Sequence, residues 1–317
     1  MLALEIEANL RILGGQRREY PAPSNSRTTM KRFCARATLS SLLAATLALG
    51  ALVAGGAEAA NRPQALQLQS RAVLVMRADT GEVLYRKNAE ETLPIASITK
   101  LMTAMVVLDA KQSLDAPIRI TNAEIDRLRG SSSRLAIGTT VTRRQALILA
   151  LMSSENRAAA ALLRNYPGGK AAGVAAMNRK ARALGMTHSR FVEATGLSGD
   201  NRSTPSDLAR MVKAASRYPD IRKFSTMREL TVKVGRYPTL YRNSNPLVRN
   251  PSWNIDITKT GYLSEAGRCL VMQTTIRGMP VVMVLMNSWG TYTRVGDAGR
   301  VRRWLETSAP AQLAARR

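Results

Sequence analysis

Residues 94–104 read PIASITKLMTA, and this stretch joins a helix pattern to a pair of reactive side chains. The apolar residues that follow Pro94 recur at helical spacing as far as Val106, which predicts a helix starting just after the proline. Ser97 and Lys100 have the form S-x-x-K, and positions i and i+3 share one face of a helix. The hydroxyl and the amine can therefore lie within hydrogen-bond reach. Taken alone, the motif is equally typical of a helix-start serine followed by a solvated lysine.

Two further short motifs lie downstream of this stretch. Ser154 and Asn156 belong to an S-x-N motif, and residues 259–261 form the only K-T-G of the chain. A second S-x-N, at residues 252–254, is interpreted as a loop. Each motif is short enough to arise by chance. The order S-x-x-K, S-x-N, K-T-G is nevertheless the motif order of penicillin-recognising serine enzymes.

On these motifs and their flanking residues, the chain resembles the low-molecular-mass penicillin-binding proteins of the D-alanyl-D-alanine peptidase family, most closely the endopeptidase branch. The similarity is carried by residues 94–104, 149–160, 184–197 and 253–261, and it extends over about residues 70–306. It implies an α+β fold of the transpeptidase/β-lactamase-like type. In that fold a mainly antiparallel sheet is flanked by helices, and a helical subdomain is inserted.

The resemblance also implies a role for each residue of the first two motifs. Ser97 would be the nucleophile that becomes acylated, and Lys100 would be the base that takes its proton. A lysine can act as a base only if its pKa is depressed, which burial and a second nearby cation would achieve. Ser154 would relay a proton to the leaving amine, and Asn156 would hold Lys100 and an amide of the substrate.

The K-T-G motif is implied to bind the substrate. Lys259 would be the second cation and would attract the substrate carboxylate, while Thr260 would hydrogen-bond that carboxylate. Gly261 would let the substrate peptide lie against the strand edge. The backbone N–H groups of Ser97 and Tyr262 would form the oxyanion hole, which is commonly a large electrostatic contribution to catalysis.

Hydropathy patterns place the motifs in a mixed architecture. The predicted strands cover residues 73–76, 83–85, 255–258, 269–276 and 281–286. The predicted helices cover the stretch after Pro94 and residues 143–152, 157–164, 170–184, 205–216 and 296–307. Strands, then helices, then strands predict one sheet domain at residues 70–308, with a helical subdomain at about residues 120–217.

The N-terminal region has the pattern of an export signal. Basic residues precede an uncharged, largely apolar stretch that ends in the A-x-A of residues 57–59. An uncleaved membrane anchor is the alternative, because about 20 apolar residues can span a bilayer. The expected division of the chain is a mis-annotated extension at residues 1–29, a signal peptide at 30–59 with translation starting at Met30, a linker at 60–69 and a basic tail at 309–317. Export by this signal predicts a periplasmic protein.

Composition excludes several classes of function. His188 is the only histidine and there are two cysteines, so we expect no metal site, no other cofactor and no disulfide framework. The net charge of +25 predicts an anionic partner. Nucleic acid is not expected, because no recognised motif accompanies the charge and three Trp and three Phe offer little base stacking. The expected partners are acidic peptidoglycan, β-lactams as covalent inhibitors and, peripherally, an anionic membrane surface.

Several activities share this motif set. The chain continues for about 56 residues after Gly261, which is room for two strands and a helix but not for the further β-rich domain of membrane-bound D,D-carboxypeptidases. This favours an endopeptidase that hydrolyses D-alanyl cross-links over a carboxypeptidase that trims pentapeptide stems. Leu263 stands where relatives usually place a small hydroxyl residue, so a hydrogen bond near the substrate carboxylate is expected to be missing.

A β-lactamase and a non-catalytic wall-binding protein are the remaining alternatives. Class A β-lactamases need a glutamate that activates the deacylating water. Glu193 lies in a comparable stretch, but its context EATGL resembles the peptidase loop. A non-catalytic relative would normally lack the serine or the lysine of S-x-x-K, and both are present.

Overall fold

Antiparallel strand pairing organises the described part of the chain, which is residues 66–307 of a computed structural model. The strands are β1 (Ala72–Arg77), β2 (Val83–Lys87), β3 (Leu93–Pro94), β4 (Pro117–Arg119), β5 (Thr140–Thr142), β6 (Arg202–Ser203), β7 (Glu229–Val234), β8 (Tyr237–Arg242), β9 (Asn254–Leu263), β10 (Gly267–Ile276) and β11 (Met279–Ser288). Five of them form one sheet in the order β2-β1-β11-β10-β9, and the others form two-stranded pairs. The first hairpin is thus joined to the last three strands through the pairing of β1 with β11.

The helices lie between and after these strands. They are α1 (Thr99–Asp109), α2 (Arg143–Met152), α3 (Asn156–Arg164), α4 (Gly169–Ala183), α5 (Pro205–Ala215), α6 (Pro219–Thr226) and α7 (Thr293–Thr307). Within residues 66–307, no helix is long and apolar enough to cross a membrane.

The sheet is covered on both faces, which explains why its central strands read as continuous apolar runs. Along β11, Val282 and Val284 belong to the apolar cluster formed with the helical block. The intervening Met283 and Leu285 belong to a second cluster that includes Val301 of α7. Successive side chains of a strand point to opposite faces, so the alternation places one core on each side of the sheet.

Helix α1 is buried along most of its length. Every residue from Thr99 to Val107 is buried, including the side chain of Lys100. A helix that is buried all round lies in the centre of a domain rather than on its surface. The lysine of the S-x-x-K motif therefore lies in the interior of the domain.

Much of the predicted secondary structure is confirmed. Helix α2 has the predicted bounds because Thr142 and Gln145 form a capping box that fixes its first turn. The predicted β-hairpin at residues 73–85 is β1–β2, and the strands predicted after residue 254 are longer than expected but in the expected order.

Two parts of the chain differ from the sequence pattern. Residues 120–142 contain only a short 3₁₀ turn at Asn122–Glu124 and strand β5, although this segment was grouped with the helices. Helix α6 and the β7–β8 hairpin, residues 219–242, were not predicted. The segments named for residues 1–59 and 309–317 lie outside the described residues, as does most of the expected linker.

Candidate active site

Ser97 lies in a 3₁₀ turn, Ala96–Ile98, that leads directly into α1. The preceding residue, Ala96, has a φ of +47°, an uncommon conformation for a residue with a side chain. Lys100 Nζ donates a hydrogen bond to Ser97 Oγ over 2.7 Å. The structure therefore brings the two ends of the S-x-x-K motif into contact, as the helical spacing predicts.

Lys100 is fully buried and has two further acceptors. Its Nζ donates to Asn156 Oδ1 over 2.8 Å and to the backbone oxygen of Thr195 over 2.6 Å. Burial penalises the ammonium form and lowers the pKa of Lys100 to about 8, although the charges of Glu193 and Glu155 act in the opposite direction. A substantial neutral fraction, the form that can accept a proton, is therefore available near neutral pH.

Ser154 occupies the tight junction between α2 and α3. Its φ of +63° lies in the left-handed region, where residues with side chains are strained. The next residue, Glu155, caps α3 by accepting a hydrogen bond from Arg157 N. This turn presents Ser154 Oγ to Lys259 Nζ, 2.9 Å away, while Asn156 on the first turn of α3 contacts Lys100.

Lys259 comes to the same place from β9, the edge strand of the sheet. Its Nζ also donates to the backbone oxygen of Thr260 over 2.7 Å. Burial, followed by the charges of Lys100 and Arg294, holds the pKa of Lys259 well below its usual value. Burial therefore lowers the pKa of both lysines. The repulsion expected between them lowers the pKa of Lys259 further.

Gly261 is required by a close approach between β9 and the Ser97 turn. A Cβ at this position would lie 3.0 Å from Ala96 Cβ and 3.1 Å from both Ile95 O and Ser97 N. The edge of β9 therefore passes directly beside the backbone of Ser97. This places the two segments expected to form the oxyanion hole next to each other.

Ser97, Ser154 and Asn156 open into one groove with a volume of about 670 Å³, whereas Lys100 and Lys259 are buried and do not line it. Its lining is Ser97, Leu128, Arg129, Ser131, Ser154, Asn156, Gly196, Leu197, Ser244, Thr260, Gly261, Tyr262, Leu263, Ser264 and Arg294. Tyr262 is 58 % exposed, whereas Leu263 is buried and packs with the apolar core. Among residues 66–307, no three His, Cys, Asp or Glu side chains converge as a metal site would need.

Comparison with known proteins gives these motifs their context. A family model described as D-alanyl-D-alanine carboxypeptidase matches residues 57–290. The chain belongs to the D-alanyl-D-alanine carboxypeptidase family. A D-alanyl-D-alanine endopeptidase of Pseudomonas aeruginosa is 51% identical over 270 residues, which cover 83% of this chain and 87% of that protein. A D-alanyl-D-alanine endopeptidase of Escherichia coli is 45% identical over 76% of this chain and 78% of its own length.

Solved structures confirm the fold class. The DD-transpeptidase of Streptomyces K15 is 29% identical, with a TM-score of 0.69 over 75% of this chain and 97% of that one. Penicillin-Binding Protein D2 of Listeria monocytogenes, solved in its cefotaxime-bound form, is 28% identical with a TM-score of 0.68, over 75% of this chain and 98% of that one. The α+β, transpeptidase/β-lactamase-like fold expected from the resemblance is therefore the fold of this chain.

In this member of the D-alanyl-D-alanine carboxypeptidase family, the groove also contains residues that the motifs did not reveal. Arg294, in the first turn of α7, lines the groove, and its Nε and Nη1 are buried without a hydrogen-bond partner within residues 66–307. Burial and the charge of Arg268 lower the pKa of Arg294. Ser244 Oγ accepts a hydrogen bond from Thr260 Oγ1 over 2.7 Å. Arg294 lies 33 positions after Gly261 and belongs to no sequence motif that could have identified it.

Glu193 was considered only as a candidate base for a β-lactamase, and the structure gives it a different setting. Its carboxylate accepts hydrogen bonds from Thr195 N, Thr195 Oγ1 and Gly196 N, and one from Asn201 Nδ2. These contacts fix the loop whose Thr195 oxygen binds Lys100. Glu193 thus acts on the lysine through the loop and through its charge.

An ion pair spans the mouth of the groove. Arg129 pairs with Glu265, which lies in the turn between β9 and β10, and Arg129 Nε donates to Leu197 O over 2.6 Å. Asp126 holds the arginine loop by accepting hydrogen bonds from Leu128 N and Arg129 N. Three separate loops are therefore joined beside Ser97.

Proposed function

We propose that this chain is a serine D-alanyl-D-alanine endopeptidase, which hydrolyses the D-alanyl cross-links of peptidoglycan through an acyl-enzyme on Ser97. The contact between Lys100 Nζ and Ser97 Oγ carries the proposal, because it supplies a nucleophile with a base of depressed pKa. The names of the Pseudomonas aeruginosa and Escherichia coli relatives support the endopeptidase branch.

Acylation begins with proton transfer from Ser97 Oγ to neutral Lys100. The serine oxygen attacks the D-alanyl carbonyl carbon, and the carbonyl oxygen takes up the negative charge. The backbone N–H groups of Ser97 and Tyr262 stabilise that charge, since the edge of β9 lies against the Ser97 turn. The burial of Lys100, which lowers its pKa, favours the proton transfer that starts this step.

Departure of the amine needs a proton. In our scheme Lys100 returns the proton, and Ser154, which accepts a hydrogen bond from Lys259, relays it to the leaving nitrogen. The C–N bond breaks and leaves an ester on Ser97. A water molecule then gives a proton to Lys100 and attacks the ester, which restores the serine and releases the D-alanyl carboxylate.

The carboxylate next to the leaving amine binds the cationic end of the groove. Lys259 and Arg294 supply positive charge there, and the Thr260 hydroxyl, which donates to Ser244 Oγ in the described structure, turns to the carboxylate. Because an anion favours the charged form of a lysine, substrate binding raises the pKa of Lys259. A charged Lys259 then disfavours the charged form of Lys100, so the substrate completes the activation of its own base.

β-Lactams enter the same scheme as covalent inhibitors. Their strained amide is attacked by Ser97, and the leaving nitrogen stays tethered within the acyl group. The cefotaxime-bound relative from Listeria monocytogenes supports this part of the proposal.

Carboxypeptidase activity is the second candidate, and the description of the family supports it. The acyl-enzyme is the same in both reactions, and only the leaving group differs. It is free D-alanine in a carboxypeptidase and a cross-linked stem in an endopeptidase. Whether the enzyme acts as an endopeptidase or a carboxypeptidase therefore depends on which leaving group the groove can accommodate.

The deciding experiment gives the full chain an equal mixture of a cross-linked muropeptide dimer and an uncross-linked pentapeptide. We expect loss of the dimer with little release of D-alanine, measured by mass spectrometry. Ser97→Ala should abolish both, and Lys100→Ala should slow acylation by about 10²–10⁴-fold. Ser154→Ala should slow turnover while Ser252→Ala, its counterpart in the second S-x-N, should not. Release of D-alanine from the pentapeptide alone would make the protein a carboxypeptidase.

We also propose that the protein works in the periplasm after cleavage of a signal peptide at residues 30–59. The net charge of +22 on residues 60–317 supports peripheral association with acidic peptidoglycan or anionic membrane surfaces. The N-terminal sequence of the protein recovered from cells tests the cleavage. Sedimentation with isolated sacculi should weaken as salt is added, and salt-independent sedimentation would contradict the electrostatic part of the proposal.

A further inference from the structure

Exposed aromatic side chains cluster beside one end of the catalytic groove. Within residues 66–307, four aromatic side chains are more than half exposed, and three of them are Tyr262, Trp289 and Tyr292. Trp289 is 83 % exposed and Tyr292 is 75 % exposed. Single exposed apolar residues are common on protein surfaces, but a cluster of large ones marks a site of interaction. We call these three residues the aromatic platform.

The pairing of β9, β10 and β11 places the aromatic platform at one end of the sheet. Tyr262 of β9 pairs with Arg268 of β10, and Arg268 pairs with Ser288, the last residue of β11. Neighbouring strands lie about 4.8 Å apart, so β11 ends about 10 Å from Tyr262. Trp289 directly follows this end, and Tyr292 directly precedes α7.

The turn between β11 and α7 is short and well defined. Gly290 has a φ of +77°, which favours glycine, and a Cβ there would lie 3.0 Å from Thr293 Oγ1. The backbone oxygen of Tyr292 accepts a hydrogen bond from Gly296 N over 2.8 Å, in the first turn of α7. Trp289 and Tyr292 therefore flank a fixed turn. An aromatic surface that is already formed loses little conformational entropy when it binds a ligand.

Two arginines border the aromatic platform and connect it to the groove. The Arg268 guanidinium lies over the Tyr262 ring, 4.6 Å from its centre. Arg294, two residues after Tyr292, lines the catalytic groove together with Tyr262. Burial, and then the charge of Arg268, lowers the pKa of Arg294, so the two guanidinium groups are near each other. The aromatic platform is thus continuous with the groove.

We propose that the aromatic platform binds sugar rings of the glycan strand that carries the leaving stem peptide. One face of a pyranose ring presents C–H groups, which pack against the electron-rich face of an aromatic ring. The hydroxyl and acetamido oxygens at the edge of the sugar accept hydrogen bonds from Arg268. The inference rests on the proposed function, because a peptidoglycan cross-link is what brings a second glycan strand to this end of the groove.

The leaving group points toward the aromatic platform. The carboxylate beside the leaving amine is bound at Arg294 in our scheme, and Arg294 adjoins Tyr292 in the chain. Free D-alanine ends at that carboxylate. In a cross-link the leaving strand continues through a short stretch of stem to its sugar, and three extended residues span about 10 Å. The aromatic platform therefore contacts the leaving group of an endopeptidase but not that of a carboxypeptidase.

An anionic membrane is the other surface that attracts aromatic and basic side chains. A bilayer lying against the aromatic platform would cover Tyr262 and Arg294, which line the groove, and would obstruct the entry of a cross-linked polymer. A glycan strand that lies along the aromatic platform leaves the groove open to the stem peptide it carries. Continuity with the groove therefore favours the glycan strand.

The kinetic test compares two cross-linked dimers, one with its disaccharides and one from which the sugars have been removed. Trp289→Ala and Tyr292→Ala should each raise KM for the sugar-bearing dimer by about tenfold, the typical loss when an aromatic anchor is removed. KM for the sugar-free dimer and the rate of acylation by benzylpenicillin should not change, which also shows that the variants fold. Tyr237→Ala, which removes an equally exposed tyrosine from β8, is the matched control and should change none of these values.

A binding measurement separates this inference from the proposed function. Glycan chains freed of their stem peptides by an amidase are added to the full chain carrying Ser97→Ala, and Kd is measured by calorimetry. Trp289→Ala and Tyr292→Ala should raise this Kd by about tenfold, and that result would support the aromatic platform even in an enzyme that does not cleave cross-links. An unchanged Kd would overturn the inference even if the enzyme does cleave them. Loss of binding to phosphatidylglycerol vesicles in the same variants, with glycan binding unchanged, would also overturn it and assign the aromatic platform to a membrane surface.

Discussion

Gly196→Ala should disable the enzyme without touching a catalytic side chain. Gly196 has a φ of +81°, and a Cβ there would lie 1.9 Å from Ala96 O, 2.2 Å from Ala96 C and 2.7 Å from Ser97 N. Ordinary contact begins at 3.4 Å, so roughly 1.5 Å must be accommodated by the Ser97 turn or by the loop that binds Lys100. Either movement separates the nucleophile from its base.

The size of the effect follows from these distances. Misplacement of a reacting group by about 1 Å can cost about 100-fold in rate, so we expect acylation by a fluorescent penicillin to slow by at least that factor. An alanine at positive φ costs about 1–2 kcal/mol, and overpacking adds about 1–3 kcal/mol. At about 2–4 °C per kcal/mol, Tm should fall by roughly 4–20 °C.

Gly185→Ala is the matched control for this substitution. Gly185 has a similar φ of +70°, but a Cβ there would meet nothing within 4 Å. It should lower Tm by only about 2–8 °C and leave the acylation rate at the wild-type value. A Gly196→Ala enzyme that is acylated as fast as wild type would refute the reasoning, because the clash would then have been relieved without moving Ser97.

Two further predictions concern buried ionisable groups. The acylation rate should rise about tenfold per pH unit below pH 7 and level off above pH 8. The reason is that the neutral fraction of Lys100 grows as the pH approaches its lowered pKa of about 8. A rate that does not change between pH 6 and pH 8 would show that Lys100 is not the base. Cys269 is buried, and burial raises the pKa of its thiol to about 11. A thiol reagent should therefore label Cys269 in guanidinium but not in the native enzyme. Rapid labelling of Cys269 in the native enzyme would show that β10 opens locally.

The sequence was informative where local chemistry decides the structure. The capping box of Thr142 and Gln145 marks the start of α2, and the i to i+3 spacing of Ser97 and Lys100 is enough to bring their side chains together. The order of the three motifs then predicted which distant segments meet. In each of these cases the deciding interaction lies within a few residues or within a recognisable motif.

The features that were missed depend on tertiary packing. Arg294 reaches the groove only because α7 packs across the sheet, and nothing near it in the sequence records that position. The β7–β8 hairpin turns at Gly235-Arg236 and carries Pro238 within its second strand, which obscures the usual strand pattern.

The pairing of β1 with β11 has a consequence for how the protein is made. Val73 pairs with Leu285, so the sheet cannot close until almost the whole chain has left the ribosome. Ser97 and Lys100 belong to the early part of the chain, whereas Lys259 and the edge of β9 arrive late. A partly synthesised chain would hold a serine and its lysine but no surface to receive a peptide. A chain truncated before β9 therefore lacks the strand edge beside Ser97, and we expect it not to be acylated by a penicillin.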